Sequence, residues 1–392
     1  MVAREQAIAE TEAPPIAAAA RSALHRLRLS DFRCYRTLAL DLSGRTVVLT
    51  GPNGAGKTNI LEALSYLSPG RGLRRARLRD VLRAGAPGAW SVAARLAGPD
   101  GAVDLGTGMT VTEQGGDRRT ARIDGQTAAP AALAGTLGLQ WLTPQMDRLF
   151  IDGPSSRRRF LDRLVLAFDP DHGRRVGAYE RAMRERARLL RDGNGDDAWL
   201  SALEARMTAD GIAVAAARRE AVARLQRYLT EARGDFPRAE LTVAGTLEAD
   251  LAEAPAVEVE GRFADCLRAN RRRDGEAGGT AEGPHRTDLL VRHAGKDLPA
   301  EQCSTGEQKA LLIALTLANA RAEAERRGAP PLLLLDEVVA HLDARRRAAL
   351  FEEVQALGGQ AWLSGTDRAV FEPLAGSAQF IAVRDGQAGL EE

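Results

Sequence analysis

The sequence predicts an α/β protein: a sheet built from two separated stretches of chain, with a mainly helical lobe inserted between them. Three observations predict it. A β-branched apolar run, Thr46 to Thr50, leads directly into Gly51-Pro52-Asn53-Gly54-Ala55-Gly56-Lys57-Thr58, followed by Ile60, Leu61, Leu64 and Leu67 at helical spacing. That is the strand–loop–helix order of a phosphate-binding unit. A second buried-strand pattern, Leu332 to Leu335, ends in Asp336-Glu337. Between the two, over residues 157–234, apolar residues recur every three or four positions.

Taken in chain order, residues 1–22 are rich in Ala and Glu and contain Pro14-Pro15. They lack the basic start and apolar core of a secretory signal and read as a disordered tail. His25 to Leu29 alternates as a first strand, with Leu38–Leu42 as its hairpin partner. In the phosphate loop, Gly51, Gly54 and Gly56 allow backbone N–H groups to turn inward on phosphate oxygens. The following helix adds a favourable dipole at the anion. Lys57 is expected to reach the β- and γ-phosphates of ATP, from a solvent-facing position when the loop is empty. Thr58 is expected to ligate Mg²⁺, and Asn59 completes the nucleotide-binding set. The chain has 54 basic residues, yet only Lys57, Lys296 and Lys309 are lysines. A compact ammonium suits a phosphate loop in a way a planar guanidinium does not.

Further strands are expected near residues 91–96, 103–111 and 119–123, with a turn at Asp124-Gly125. Another, 139–143, leads into Pro144-Gln145. In the helical region Phe160, Leu161, Leu164 and Val165 mark one face, and the sustained heptads of a coiled-coil arm are missing. The segment 276–283, Gly-rich and acidic, reads as a mobile connector, and Pro284 to Val291 returns the chain to the head. The expected division is 23–143 and 284–392 for the head and 144–283 for the lobe.

Ser304 is a natural N-cap for a helical run from Ala310 to Arg326. Functionally, Ser304 and the Gly306 N–H, with Thr305, Glu307 and Lys309, would cap the γ-phosphate of ATP held by a second copy. Asp336 can hold Mg²⁺ directly or through water, and Glu337 is placed to activate the attacking water. Ala340-His341-Leu342-Asp343 follows as a D-loop. Walker A, signature, Walker B and D-loop together are those of an ABC-type ATPase, whose site is completed by pairing two heads. A transporter subunit would have a short segment between Thr58 and Ser304; here most of the chain separates them.

Net charge is only +1, so nucleic-acid binding must come from local patches. Aromatic content of 4% leaves few stacking platforms for bases. Cys34, Cys266 and Cys303 are scattered, which fits a reducing cytosol rather than a disulfide frame or zinc site. No apolar stretch approaches a membrane span. Three arginine clusters stand out: Arg71, Arg74, Arg75, Arg77, Arg79 and Arg83; Arg157, Arg158, Arg159 and Arg163; and Arg268, Arg271, Arg272 and Arg273. Charge runs are often solvated faces. The first cluster is the preferred phosphate contact, giving affinity without sequence specificity. Arg157–Arg159 have the alternative of pairing with acids inside the lobe. His172 and His293 read as surface residues, and Lys296 as part of a solvated turn.

Several strings resemble the RecF family of bacterial recombination-repair ATPases, and the similarity runs from about Leu27 to Gly389. They are Asp31-Phe32-Arg33-Cys34-Tyr35, Arg122-Ile123-Asp124-Gly125, Thr143-Pro144-Gln145, Gly153-Pro154 with Arg157 to Asp162, and Gly283-Pro284-His285-Arg286-Thr287-Asp288-Leu289. The resemblance implies a cytoplasmic ATPase, slow and DNA-stimulated, that binds DNA as an ATP-loaded homodimer. It would work with RecO and RecR to help load RecA at gaps and single-strand/double-strand junctions. It also implies an ABC head with a second lobe and no long coiled coil, and makes Gln145 a Q-loop residue sensing Mg²⁺ and nucleotide. Three features depart from the ABC pattern. Glu307 stands where Gln is usual, Thr305 replaces a frequent Gly, and Gly365-Thr366 lacks the switch His of transporters, a role His341 does not fill. The alternatives are a coiled-coil-less head of another SMC-like repair ATPase, or an ATP-gated DNA scaffold with negligible turnover.

Overall fold

The computed structural model describes residues 23–98, 101–111, 115–193, 196–232, 234–340 and 342–391. The expected tail, 1–22, and His341 lie outside the described residues.

The central sheet has the order β15-β14-β3-β13-β12-β8. Its strands are β3 (Thr46–Thr50), β8 (Leu139–Leu142), β12 (Leu332–Leu335), β13 (Ala361–Gly365), β14 (Ala378–Arg384) and β15 (Gln387–Leu390). All neighbours pair in parallel except β15, which pairs antiparallel with β14. Parallel strands covered on both faces read as unbroken apolar runs rather than alternations, and the leucine run shows why. Leu332 and Leu334 enter one core with Ile60, Leu61 and Leu64; Leu333 and Leu335 enter another with Leu311, Leu312 and Leu350.

A second sheet, order β2-β1-β4-β5-β6-β7, is antiparallel. It contains β1 (Ala23–Phe32), β2 (Tyr35–Asp41), β4 (Trp90–Gly98), β5 (Gly101–Val111), β6 (Asp117–Ile123) and β7 (Gln126–Ala128). Along β4, Trp90, Val92, Ala94 and Leu96 are buried while Ser91, Ala93 and Arg95 are exposed, the alternation of a one-sided sheet. Asp124 and Gly125, with φ of 50° and 77°, make the tight turn between β6 and β7.

The helices are α1 (Lys57–Ser65), the single turns α2 (Leu78–Val81) and α3 (Leu133–Thr136), then α4 (Pro154–Val165), α5 (His172–Asp192) and α6 (Asp197–Glu231). They continue with α7 (Thr246–Glu253), α8 (Ala256–Ala269), α9 (Arg271–Ala277), α10 (Thr305–Arg327) and α11 (Ala344–Leu357). The long helix α6 serves two cores. Met207, Ile212 and Ala215 pack with Tyr179 and Phe263, whereas Ala221, Val222, Leu225 and Leu229 join the core containing α10. A small sheet, β9 (Ala239–Ala244), β10 (Asp288–His293) and β11 (Leu298–Pro299), pairs the strand that follows α6 with the returning chain.

Two expectations are corrected. The segment 276–283 is not a free connector: Thr280 is buried and its hydroxyl accepts from Arg186 at 3.2 Å, while the Ala281 N–H donates to Asp274 at 3.1 Å. Arg186 is itself buried and needs those acceptors. His172 is not a surface residue but 0% exposed. Its Nε2 lies 2.8 Å from Asp162, whose carboxylate also accepts from Arg218 at 2.8 and 3.0 Å. His293 is half-buried. His285 locks the return strand to α5. Its Nε2–H donates to the Thr280 carbonyl at 2.8 Å, so its Nδ1 accepts from the Tyr179 hydroxyl at 2.8 Å.

Burial pushes the His285 pKa below its ordinary 6.5. The unfolded chain therefore takes up this proton more readily, and the contribution present above pH 6.5 is lost as pH falls below it. Urea unfolding should show wild type losing stability from neutral to mildly acidic pH more steeply than His285→Gln. Equal pH slopes would remove His285 as the cause.

Candidate active site

β3, β13 and β12 are adjacent, so the residues at their C-terminal ends converge at one point. The phosphate loop leaves β3 through Gly51, whose φ is 144°; a Cβ there would lie 2.1 Å from the Val383 carbonyl oxygen. Gly56, at φ 118°, would place a Cβ 2.5 Å from the Tyr35 hydroxyl and 2.9 Å from the Cys34 sulfur. Both positions therefore require glycine.

Lys57 corrects an expectation: it is 4% exposed rather than solvent-facing. Its Nζ donates to the carbonyls of Gly51 at 2.7 Å and Pro52 at 2.9 Å, so the ammonium fills the loop's interior. Burial lowers its pKa, and the charges of Glu337 and Asp336 oppose that shift. Thr58, one residue on, donates through Oγ1 to Asp336 Oδ1 at 3.0 Å. The Ser364 hydroxyl donates to the same oxygen at 2.7 Å and accepts the Glu337 N–H at 2.9 Å. Asp336 is 4% exposed. Burial raises its pKa, against the hydrogen bonds from Ser364 and Thr58. Glu337 has φ 50°, the left-handed region that a non-glycine residue keeps only when its surroundings enforce it.

Sequence reasoning missed Ser364. The available signal was a hydroxyl at the end of the apolar strand Ala361-Trp362-Leu363, but only the strand order shows that this strand lies between the two Walker strands. Gln145 sits exposed in a short 3-10 turn, Pro144–Arg148, following β8. β8 adjoins β12, and the Asp336 N–H donates to the Leu142 carbonyl at 2.9 Å. Asn59 is held by Arg74 at 2.8 Å.

In the signature segment Ser304 caps α10 through a capping box: its Oγ accepts the Glu307 N–H at 3.4 Å, and its own N–H donates to the Glu307 carboxylate at 3.0 Å. Such a box accepts Glu or Gln alike, which gives the unusual Glu307 a physical role. Lys296 is not simply solvated, since it forms an ion pair with Glu307. Lys309 is a further correction. It is 6% exposed and turned into its own chain, toward the Ala340 carbonyl and Asp147, rather than outward with Ser304 and Thr305. Asp343 caps α11, accepting the Arg346 N–H at 2.8 Å, and Arg346 reaches the Gly306 carbonyl at 3.3 Å. Among the described residues no hydrogen bond joins the signature segment to residues 51–59, so one chain presents the two halves of the site separately.

The first arginine cluster divides in two. Arg74 pairs at 3.0 Å with the fully buried Glu62, which Arg33 also grips at 2.6 and 2.8 Å. Arg79 pairs with Asp117 at 2.6 Å and Arg83 with Asp31 at 2.8 Å. Arg71, Arg75 and Arg77 are exposed and, among the described residues, have no ion pair. In the second cluster Arg157 pairs with Asp288 at 2.7 Å, Arg158 donates to the Thr287 carbonyl, and Arg163 stacks over Trp141 and Phe160, its pKa pushed down to about 9 by burial. In the third, Arg271 pairs with Glu204 and Arg272 with Glu276.

The family model of the RecF/RecN/SMC N-terminal domain matches residues 23–382. A protein of Rhizobium meliloti (strain 1021), described as DNA replication and repair protein RecF, is 54% identical over 367 residues, covering 93% of this chain and 98% of its own. The chain belongs to the RecF family. A RecF of Mesorhizobium japonicum is 52% identical over 376 residues, covering 95% and 99%. The solved structure of the recombination mediator RecF-ATPrS in the RecFOR pathway superposes with TM-score 0.82 at 19% identity, covering 95% of this chain and 99% of that one. An SmcHead bound to the C-winged helix domain of ScpA gives 0.51 at 17% identity, covering 94% and 97%. The fold is thus the SMC-like ATPase head of RecF, without a long coiled coil among the described residues.

Ser364→Ala should weaken Mg²⁺-dependent ATP binding by about tenfold, the scale of one hydrogen bond to a charged group. Titrating ATP with and without Mg²⁺ checks this; an equal loss in both, or none, would separate Ser364 from the Asp336 site.

Proposed function

We propose that this chain is a DNA-binding ATPase of replication and recombinational repair. The observation that carries this reading is the convergence of the Thr58 and Ser364 hydroxyls on Asp336, with Ser364 also holding the Glu337 N–H, which ties the Walker A loop to the Walker B strand. The relatives' names supply the biological setting.

The residues divide the work as follows. Gly51 to Thr58 and Asn59 hold the nucleotide phosphates, with Lys57 exchanging its loop carbonyls for phosphate oxygens. Thr58 and Asp336 offer two oxygen ligands, the kind of partial set Mg²⁺ takes when phosphates and water complete its shell; a cation there would relieve the burial of Asp336. Mg²⁺, when bound, neutralises charge developing on the transferred phosphoryl group. Gln145, exposed in the turn after β8, would sense the same nucleotide and cation. Glu337 orients and deprotonates the attacking water. Ser304, Thr305, Gly306 and Glu307, with Asp343 nearby, close the site from a second copy. ATP thus favours a homodimer on DNA, and hydrolysis, slow and DNA-stimulated, resets it. The ATPase unit comprises 23–143 and 284–392, with 144–283 as the lobe.

DNA binds through phosphate contacts. Arg71, Arg75 and Arg77 are the candidates, because Arg74 and Arg79 are already committed to carboxylates. The substrates are gapped or junction DNA in the cytoplasm, and the partners RecO and RecR, aiding RecA loading. No described helix is long and apolar enough to cross a membrane.

The test combines turnover with DNA affinity. Gapped DNA should raise wild-type ATP turnover; Lys57→Ala should lose nucleotide binding; Glu337→Gln should bind ATP, hold DNA longer and hydrolyse little. Replacing Arg71, Arg75 and Arg77 by Ala should flatten the dependence of DNA affinity on salt. Wild-type turnover in Glu337→Gln would remove that residue as the base. DNA affinity indifferent to ATP would sink the reading as a whole.

A further inference from the structure

The three lysines of this chain have different surroundings. Lys57 fills the phosphate loop and Lys296 lies half-exposed in a turn. Lys309, near the start of α10, is buried among backbone and side chains of its own chain. Its Nζ donates to the Ala340 carbonyl at 2.8 Å and lies 3.4 Å from Asp147 Oδ2. Asp147 supplies the counter-charge that a buried ammonium needs and belongs to the short turn that also contains Gln145.

Ala340 closes a tight turn on Glu337, its N–H donating to the Glu337 carbonyl at 3.1 Å. Val338 and Val339, between them, are buried in the core with Leu311 and Leu312. The Glu337 N–H is held by Ser364. Its backbone is therefore fixed on both sides: directly by Ser364, and through the turn by Lys309. Glu337 also sits at φ 50°, a conformation that will not persist unless its neighbours over-determine it.

We propose that Lys309 is a positioning residue for Glu337: by holding the Ala340 carbonyl against α10, it fixes the turn that aims the Glu337 carboxylate. It acts within one chain rather than on the second copy's nucleotide. An ammonium suits the place because it can serve a carbonyl and a carboxylate from one point, which a planar guanidinium does less well. The same cation links the Gln145 segment, the signature helix and the D-loop, so displacement of any one is felt at Glu337. This rests on the reading of Glu337 as the base.

The test uses the full chain with ATP, Mg²⁺ and DNA, comparing Lys309→Met and Lys309→Arg in the wild-type and Glu337→Gln backgrounds. Lys309→Met should lower single-turnover hydrolysis about tenfold to a hundredfold, the scale of a misplaced catalytic group, with ATP affinity nearly unchanged. Lys309→Arg should recover part of the rate. In the Glu337→Gln background Lys309→Met should cause no further loss, because its effect passes through the missing carboxylate. A purely structural role would instead lower ATP affinity along with rate, or add its loss to that of Glu337→Gln; either result overturns the proposal, as does a wild-type rate in Lys309→Met. If Lys309→Met fails to fold, Lys309→Gln, uncharged and one bond shorter, replaces it under the same criteria. Normal hydrolysis in Glu337→Gln alone would sink the underlying assignment, a result read without any Lys309 variant.

Discussion

The site depends on one buried carboxylate. Asp336 is placed by β12 at a depth where an unpartnered charge is costly, and two hydroxyls converge on the same oxygen to offset that cost. Those hydroxyls come from opposite ends of the sequence. Thr58 follows the strand on one side of β13, and Ser364 ends β13 itself. The parallel order β3-β13-β12 is what lets a residue of the last hundred, Ser364, sit between the two Walker motifs. Inserting the lobe leaves this arrangement intact because β8, before it, pairs directly with β12, after it.

A second constraint acts on the backbone next to Asp336. Glu337 leaves the strand in a left-handed conformation and is followed at once by a tight turn whose apolar residues are buried. α10 is joined to the end of that turn by Lys309 at Ala340, and to the start of α11 by Arg346, which reaches back to Gly306. Ser304 and Thr305 remain exposed at the tip of α10, with Ser304 committed to its capping box. Among the described residues, no hydrogen bond joins this exposed tip to the phosphate loop of the same chain, although α10 farther along is tied to the turn after Glu337.

Much of this was legible in the sequence because it depends on local rules. The Thr46–Thr50 strand, its glycine-rich loop and the helix after it are specified by neighbouring residues, and so are the leucine run and the Ser304 cap. The antiparallel hairpin and the Asp124-Gly125 turn follow from alternation and turn chemistry. What escaped depends on partners far away in the chain. Ser364 gains its role only from strand order. His172 looks like any polar residue until Asp162 and Arg218 surround it, and Thr280 looks like linker until Arg186 needs an acceptor. Lys57 was expected to face solvent and Lys309 to act on a second copy's nucleotide; both turn inward onto backbone carbonyls of their own chain. The arginine cluster could not be divided from sequence, since Glu62 and Asp117, which claim Arg74 and Arg79, come from different elements.

The central claim is that two copies of the chain complete each other's site. Its most direct measurement mixes two inactive variants, Lys57→Ala and Ser304→Arg. A heterodimer then contains one site with both lesions and one with neither. Random mixing of independent sites should restore roughly a quarter of wild-type turnover. Activity in Ser304→Arg alone, or no recovery once heterodimers on DNA are demonstrated, would contradict the account.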